Sequence, residues 1–280
     1  MAEAEDLVID AARHATAYTQ ALLARRRPAG PATPALLELA PRLDLLLLAV
    51  HGRQWPLRVA QPPARVTILA RLFRRRSRPW RELAVPASDG RVIWLPRRLD
   101  GLDAEAAALV YRTMALHQAW RAARRDGAAI EVLPAGLARD LYLVIEAEAA
   151  DAALARQLPG LRDGLVALRA EALRRRPAMG RFPSHRQPLE TWYRRLLAQA
   201  PDDRPPVPGL AAAAGGRDWA AAALELAERH GEAFGSEGLL KDWWTGEWPL
   251  REGAAGAFAA GEAGAAMNEE RPARSARMQR

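Results

Sequence analysis

The stretch LARDLYLVIEAEAADAALARQ, residues 137–157, decides the fold class of this sequence. It contains neither proline nor glycine, and it lies between Pro134 and the helix-ending Leu158-Pro159-Gly160. Long apolar and alanine-rich stretches bounded in this way predict α-helices. Comparable stretches lie at about 103–125, 161–176, 187–200 and 217–234. We therefore expect five helices to form the body of the protein.

Two further helices are expected nearer the N-terminus. Residues 5–27 carry apolar side chains at helical spacing and end in three arginines before Pro28. Basic residues in a last turn suit the negative end of a helix dipole. Residues 35–51 are dense in leucine and are followed by Gly52, a residue type that commonly closes helices. The apolar positions of the first segment are Leu7, Val8, Ala11, Ala15, Tyr18 and Leu22.

A small hairpin is expected between these helices and the body. Prolines interrupt any helical period from residue 53 to 100, and Pro86-Ala87-Ser88-Asp89-Gly90 has the composition of a turn. The strands are predicted at about 82–85 and 91–95. The fold class is thus mainly α, a bundle of about seven helices with one small β-hairpin.

The chain is expected to form one helical domain over residues 1–250, followed by a tail. Glycine, alanine, glutamate and arginine alternate from 251 to 280 without a sustained apolar period. Segments of this kind cannot bury enough apolar surface to fold, so we expect the tail to be disordered.

Composition excludes several classes of protein. The 280 residues carry a formal charge of +8, and Lys241 is the only lysine, so arginine supplies nearly all the positive charge. Such usage is typical of GC-rich genomes and is weak evidence for nucleic-acid binding. The lack of cysteine excludes disulfide scaffolds and thiolate metal sites. The purest apolar run, 45–50, is too short to cross a bilayer, and we expect a cytoplasmic protein without a membrane span.

The usual catalytic motifs are missing from the sequence. It contains no phosphate-binding Gly-x-x-x-x-Gly-Lys-Ser/Thr, no Gly-x-Ser-x-Gly and no Glu-x-x-His of a di-iron bundle. The sequence therefore assigns no catalytic, cofactor-binding or metal-binding residue, and it calls for no cofactor.

One histidine and three carboxylates are the best candidates for a polar centre. His117 falls on the same helical stripe as Val110 and Met114, so it is expected to face the core as a structural, hydrogen-bonded histidine. Glu148 and Asp151, three residues apart, lie on one side of a helix and are spaced to share an ion, whereas Glu146 and Asp151 are not. We expect one of these carboxylates to pair with a buried arginine or histidine and the others to be solvated.

Two clusters are candidate partner-binding surfaces. The densest basic patch lies between Arg71 and Arg81, and its centre is Arg74, Arg75 and Arg76. Its simplest interpretation is a solvated loop, with an acidic protein partner as the alternative. Near the C-terminus, Trp243, Trp244 and Trp248 surround Glu247. Tryptophans in this number form either a lid packed on the bundle or an exposed anchor for a partner. We expect Trp243 to belong to a lid and Trp248 to an anchor.

Several of these segments, taken in order, resemble a known family. Ile93-Trp94-Leu95-Pro96, the helix with Tyr111, Arg112 and His117, the helix with Glu146 and Asp151, and the turn at Pro159 and Gly160 are similar to the N-terminal region of the NorD and CbbO proteins. These are nitric oxide reductase and Rubisco activation proteins. The similarity covers about 80–250, and Glu247-Trp248 resembles an element that leads toward the family's C-terminal domain. That domain, of the von Willebrand factor A type, has no counterpart in these residues.

The resemblance implies an adaptor and not an enzyme. Its partner would be a MoxR-type AAA+ ATPase, together with a possible separate von Willebrand A protein, and the pair would activate a cofactor-containing client enzyme. The implied partner-binding residues are Trp244, Glu247 and Trp248, with Arg74, Arg75 and Arg76 as a second set, and no nucleic acid is expected.

Two alternatives remain open at this point. The first is a helical metalloenzyme that uses His117 with Glu146 or Glu148. The second is a nucleic-acid-binding regulator that uses the basic patch from Arg71 to Arg81.

Overall fold

A computed structural model describes residues 33–63, 83–124, 127–201, 215–234 and 238–249. The mainly helical fold with a small β element is confirmed. Three of the expected features, the helix at 5–27, the basic patch at 71–81 and the tail at 251–280, lie outside the described residues. Among the helices of the described residues, none is long and apolar enough to span a bilayer.

Seven α-helices occur in the described part of the chain, and six of them match expected helices closely. The unexpected one is the short α3, directly after α2. The helices are α1 (Leu36–His51), α2 (Ala104–Arg124), α3 (Gly127–Glu131), α4 (Leu137–Gln157), α5 (Arg162–Arg174), α6 (Gln187–Ala198) and α7 (Gly216–Phe234). Short 3-10 turns at Pro159–Leu161, Met179–Arg181 and Ser184–Arg186 join the later helices.

Local chemistry fixes the helix ends. Gly52 closes α1 in the left-handed region at φ 63°, and its N–H donates to the Leu48 carbonyl at 2.9 Å. Asp103 precedes α2, and its Oδ1 accepts the Ala106 N–H at 2.8 Å, which satisfies one of the free donors of the first turn. These caps explain why the sequence predicts the bounds of both helices well.

Within the described ranges, the strands form a three-stranded sheet in the order β1-β3-β2. The strands are β1 (Leu57–Ala60), β2 (Ala87–Ser88) and β3 (Ile93–Pro96). β2 and β3 run antiparallel as the expected hairpin, and β1, which the sequence analysis missed, runs parallel to β3 with Leu57 opposite Ile93.

The predicted first strand at 82–85 is wrong. Asp89 Oδ1 accepts the backbone N–H groups of Arg91 and Val92, each at 2.8 Å, so the bend forms after Asp89. The strand therefore moves to Ala87–Ser88, inside the segment that the sequence assigns to the turn.

The core lies between α4 and the helices around it. α4 packs against α2 and α7, and α5 packs against α2 and α6. The α2–α5 contact is close because Gly164 has no side chain: a Cβ there would collide with Thr113 Oγ1. The sheet packs against α2, and the Tyr111 hydroxyl donates to the Pro96 carbonyl at 2.8 Å.

Residues 238–249 return to the bundle as a loop with a turn at 243–245, in which the Gly246 N–H donates to the Asp242 carbonyl at 3.0 Å, and we call this segment the strap. It reaches the sheet at Glu247, whose N–H donates to the Pro86 carbonyl at 2.9 Å and which bridges Ala87. Just before this contact, Gly246 adopts φ +62°, and a Cβ on it would lie 2.7 Å from the Pro86 carbonyl oxygen. The strap thus requires glycine at this position, both for its backbone conformation and for space.

Gly246→Ala therefore tests how closely the strap is seated. Gly52 has nearly the same φ but nothing within 4 Å of an added Cβ, so it is a matched control. We expect Gly52→Ala to cost about 1–2 kcal/mol of unfolding free energy, the strain of a left-handed non-glycine residue. Gly246→Ala should cost more, since the Pro86 carbonyl must also move. Equal losses in urea titrations of the two variants would contradict this seating.

Candidate functional site

The centre of the described structure is a buried polar triad from three helices. Asp151 of α4 has its Oδ1 3.3 Å from His117 Nε2 of α2, and its Oδ2 accepts the Nε–H of Arg169 of α5 at 2.6 Å. His117 Nε2 is also 3.3 Å from the Ala147 carbonyl. The residues are 1% exposed at His117, 0% at Asp151 and 2% at Arg169. The expected inward orientation of His117 is confirmed.

Arg169 also binds the second carboxylate of α4. Its Nη2 donates to Glu148 Oε1 at 2.7 Å, and its Nη1 donates to the Leu196 carbonyl at 3.1 Å. The spacing of Glu148 and Asp151 predicts a shared ion, and the structure places the guanidinium of Arg169 between them. The two carboxylates therefore share a cation supplied by the protein itself.

Glu146 belongs to a second buried pair. Arg121 of α2 donates from Nε to Glu146 Oε2 at 2.6 Å and from Nη1 to the Thr245 carbonyl of the strap at 2.6 Å. The expectation that only one of the three carboxylates is paired is therefore wrong. Each of them meets an arginine, because a charge buried in a helix core requires a partner.

A third arginine joins α5, α6 and the strap. Arg176, just after α5, binds both carboxylate oxygens of Glu190 at 2.7 and 2.6 Å and Asp242 Oδ2 at 2.7 Å. Its Nη1 also donates to the Leu240 carbonyl at 3.0 Å. The Tyr193 hydroxyl donates to the same Asp242 oxygen at 2.8 Å. Forked contacts of this kind are the strong, oriented form of an ion pair.

The strap supplies a tryptophan to the triad. Trp244 donates from its indole Nε1 to Asp151 Oδ2 at 2.9 Å, and Arg169 lies over its ring at 4.5 Å. Trp243 donates to the Ala84 carbonyl at 3.0 Å. Both rings are buried, which confirms the lid for Trp243. The expected partner-binding role of Trp244 is corrected, because this side chain is 0% exposed and offers no surface to a partner.

Of the other residues expected to bind a partner, the structure describes two and leaves three outside the described ranges. Glu247 and Trp248 lie at the end of the strap, where both are partly exposed. Arg74, Arg75 and Arg76 lie outside the described residues.

The structure also describes the other residues that match the family, namely Tyr111, Arg112, Pro159 and Gly160. Tyr111 joins α2 to the sheet, as described above, and Arg112 is exposed beside it. Pro159 and Gly160 lie exposed in the turn between α4 and α5. Their place matches the expectation that this dipeptide separates two helices.

The network shifts the proton affinity of its members. Burial alone would raise the pKa of the Asp151 carboxyl, but the hydrogen bond from His117 and the charge of Arg169 outweigh it and lower that pKa. Burial alone would lower the pKa of Arg169, and the charges of Asp151 and Glu148 outweigh it and raise that pKa. Both side chains are therefore held in their charged forms.

This arrangement is suited to holding elements together. His117 pairs with Asp151, while Glu146 and Glu148, its expected companions in a metal site, each bind an arginine. In the described part of the chain, no three histidine, aspartate or glutamate side chains are grouped to hold a metal ion. Every polar contact in the triad joins two elements of the fold.

Sequence reasoning missed the three arginines. Arg121, Arg169 and Arg176 do not stand out in a chain so rich in arginine. Arg169 carried a signal nonetheless, because it lies on the apolar stripe of α5 formed by Leu165, Leu168 and Ala172. An arginine on such a stripe requires a buried carboxylate opposite it.

Comparison with known proteins returns no match for this chain among protein-family models, curated proteins or solved structures.

Arg169→Met tests the energetic role of the triad. The substitution replaces the aliphatic stem of the arginine by an unbranched apolar side chain but leaves Asp151 and Glu148 without their cation. We expect a loss of about 3–5 kcal/mol in unfolding free energy, the usual cost of removing one partner of a buried pair. Arg174→Met is the control, since Arg174 is 54% exposed in its pair with Glu171, and it should cost at most about 1 kcal/mol. Similar losses in the two variants would contradict a central role for Arg169.

The lowered pKa of Asp151 predicts a dependence of stability on acid. The ordinary value of the group is 3.8, and its value in the folded protein is lower. Its stabilising contribution is therefore complete above pH 3.8 and is lost as the pH falls through the folded value. Denaturant titrations at several pH values should give a difference in unfolding free energy between the parent and Asp151→Asn. We expect this difference to be constant near neutral pH and to become smaller in acid. A difference that becomes larger in acid would contradict the prediction.

Proposed function

We propose that this protein is a non-enzymatic adaptor that partners a MoxR-type AAA+ ATPase in activating a cofactor-containing client enzyme in the cytoplasm. The class of partner comes from the resemblance to the NorD and CbbO proteins. A separate von Willebrand A protein is a possible third component of the assembly.

One observation carries the non-enzymatic part of this proposal. His117, Glu146 and Asp151, the side chains best suited to acid–base or metal chemistry, are each at most 2% exposed and in contact with a polar side chain of another helix. A general acid or base must reach its substrate within hydrogen-bond distance. Side chains enclosed in this way favour a role in holding the bundle rigid.

The end of the strap is the part of the described chain that best fits an anchor. Trp248 is partly exposed, and the backbone before it is held by the Arg121 contact to Thr245 and by the Glu247 contact to Pro86. Tryptophan presented from a rigid backbone loses little conformational entropy on binding. It is also the residue type most enriched in interface hot spots.

A pull-down with a MoxR-type AAA+ ATPase from the same genome tests the proposal. The full chain should retain the ATPase, and Trp248→Ala should weaken binding by about 2 kcal/mol or more, roughly thirtyfold in the dissociation constant. Trp192→Ala is the control, because Trp192 is a tryptophan at the surface of α6, 37% exposed and away from the strap. Circular dichroism melts of both variants separate loss of binding from loss of folding.

Two outcomes would contradict the proposal. The first is that the parent protein fails to retain the ATPase with and without nucleotide. The second is that both tryptophan variants bind as tightly as the parent, which would remove Trp248 from the interface.

A further inference from the structure

The strap lies in a groove of the bundle, where buried arginines bind its backbone. Three strap carbonyls, those of Gly238, Leu240 and Thr245, each accept a hydrogen bond from an arginine side chain. The arginines are Arg186, Arg176 and Arg121, in the same order, and we call the surface that they form beneath the strap the strap groove. Contacts to backbone carbonyls hold an extended chain in place whatever its side chains are.

One end of the strap also extends the sheet. The Glu247 N–H donates to the Pro86 carbonyl at 2.9 Å, and Glu247 pairs with Ala87 of β2 as a parallel β-bridge. Addition of a segment to a sheet edge is a common way in which folded domains bind peptides. The backbone contacts of the strap are therefore of the kind that a peptide ligand makes.

Side-chain contacts in the groove favour an acidic residue followed by two aromatic residues. The Asp242 carboxylate accepts hydrogen bonds from Arg176 at 2.7 Å and from the Tyr193 hydroxyl at 2.8 Å. Trp243 and Trp244 follow it, and the guanidinium groups of two further arginines lie over their rings. A carboxylate bound by a guanidinium and a ring beneath a cation are both specific contacts.

The strap holds its own turn. Asp242 Oδ1 accepts the backbone N–H groups of Trp244 at 3.0 Å and Thr245 at 3.1 Å, and the Gly246 N–H donates to the Asp242 carbonyl at 3.0 Å. These three contacts lie within the strap, so they do not require the bundle. A ligand that is already organised in its bound conformation loses less entropy on binding.

Detachment of the strap leaves the buried arginines of the network paired. Each of the three has a carboxylate partner within the bundle as well as its contact with the strap. The pairs are Arg121 with Glu146, Arg169 with Asp151 and Glu148, and Arg176 with Glu190. Asp140, which pairs with Lys241 of the strap, lies directly against Gly238, so detachment exposes its carboxylate to water. Opening of the strap therefore leaves no charge both buried and unpaired, which is the costly state.

We propose that the strap groove is a peptide-binding site whose resident ligand is the strap, and that the strap detaches from it as a unit while the helices stay folded. The class of ligand is an extended peptide in which a carboxylate residue precedes two aromatic residues. This inference is independent of the proposed adaptor function, because it concerns the groove beneath the strap and not the surface at Trp248.

Binding of a separate peptide tests the site. The probe is a fluorescently labelled synthetic peptide with the sequence of residues 238–249. The protein is the full chain with Trp243→Ala and Trp244→Ala, which weaken the resident strap and leave the groove unaltered. We expect this variant to bind the peptide at least about tenfold more tightly than the parent, because in the parent the strap competes for the groove.

A matched peptide tests the recognition of the carboxylate. Asp242→Asn in the peptide keeps the oxygen that holds the turn but removes the charge that Arg176 binds. This peptide should bind the variant protein at least about tenfold more weakly than the original peptide, since hydrogen bonds to charged groups are the stronger ones.

Three outcomes of these titrations would overturn the proposal. The first is a variant that is folded by circular dichroism and does not bind the peptide. The second is equal binding by the parent and the variant, which would place the peptide elsewhere on the protein. The third is equal binding of a peptide with the same residues in scrambled order, which would show contact without recognition.

Hydrogen exchange of the parent protein keeps the test valid if the variant unfolds. The backbone amides of Gly246 and Glu247 should have opening constants at least about tenfold larger than the most protected amides of α4, because the strap opens while the helices stay folded. Their exchange should also depend less on denaturant, since opening of the strap exposes less surface than unfolding does. Equal opening constants and equal denaturant dependence would show that the strap is released only on global unfolding, which would overturn the proposal.

Discussion

The described structure depends on the guanidinium of Arg169, buried between two carboxylates of α4. Removal of this cation leaves Asp151, whose side chain is 1% exposed, and Glu148, whose side chain is 13% exposed, without their arginine. Because Asp151 also meets His117 and the indole of Trp244, one carboxylate joins α2, α4, α5 and the strap. A buried network of this kind favours one packing arrangement over others, since any shift of a helix leaves a charge unpaired.

The arginine-rich composition takes on a structural meaning in this context. Arg169 lies over Trp244, Arg175 lies over Trp243 at 3.7 Å, and Arg176 lies over Tyr193 at 4.4 Å. Arginine combines a flat cation that stacks on aromatic rings with donors that fit carboxylates, and lysine does not. Both kinds of contact hold the strap, since Arg169 and Arg175 lie over its tryptophans and Arg176 binds its Asp242. Part of the positive charge of this sequence is therefore buried against carboxylates and aromatic rings, where it is not available to a polyanion.

The sequence predicts the parts of this fold that local chemistry determines. Gly52 and the Pro159-Gly160 turn end helices where expected, and the stripe of Val110 and Met114 correctly directs His117 inward. The hairpin strand was misplaced because the Asp89 side chain sets the bend by contacts that composition does not reveal. The partners of Glu146 and Asp151 lie on other helices and on the strap, and separations of that size leave no periodic trace in one sequence. Arg169 was predictable in principle, whereas the Trp244 contact was not.

The exchange rates of the arginine Nε–H protons test the central claim most directly. In an amide and guanidinium NMR spectrum recorded after transfer to heavy water, the Nε–H signals of the three network arginines should persist. They are those of Arg121, Arg169 and Arg176, whose Nε–H groups donate to buried carboxylates at 2.6, 2.6 and 2.7 Å. Buried hydrogen-bonded protons exchange only on opening of the structure, whereas those of exposed arginines exchange at once. Loss of all arginine Nε–H signals while the backbone amides of α4 stay protected would contradict a network that holds the bundle together.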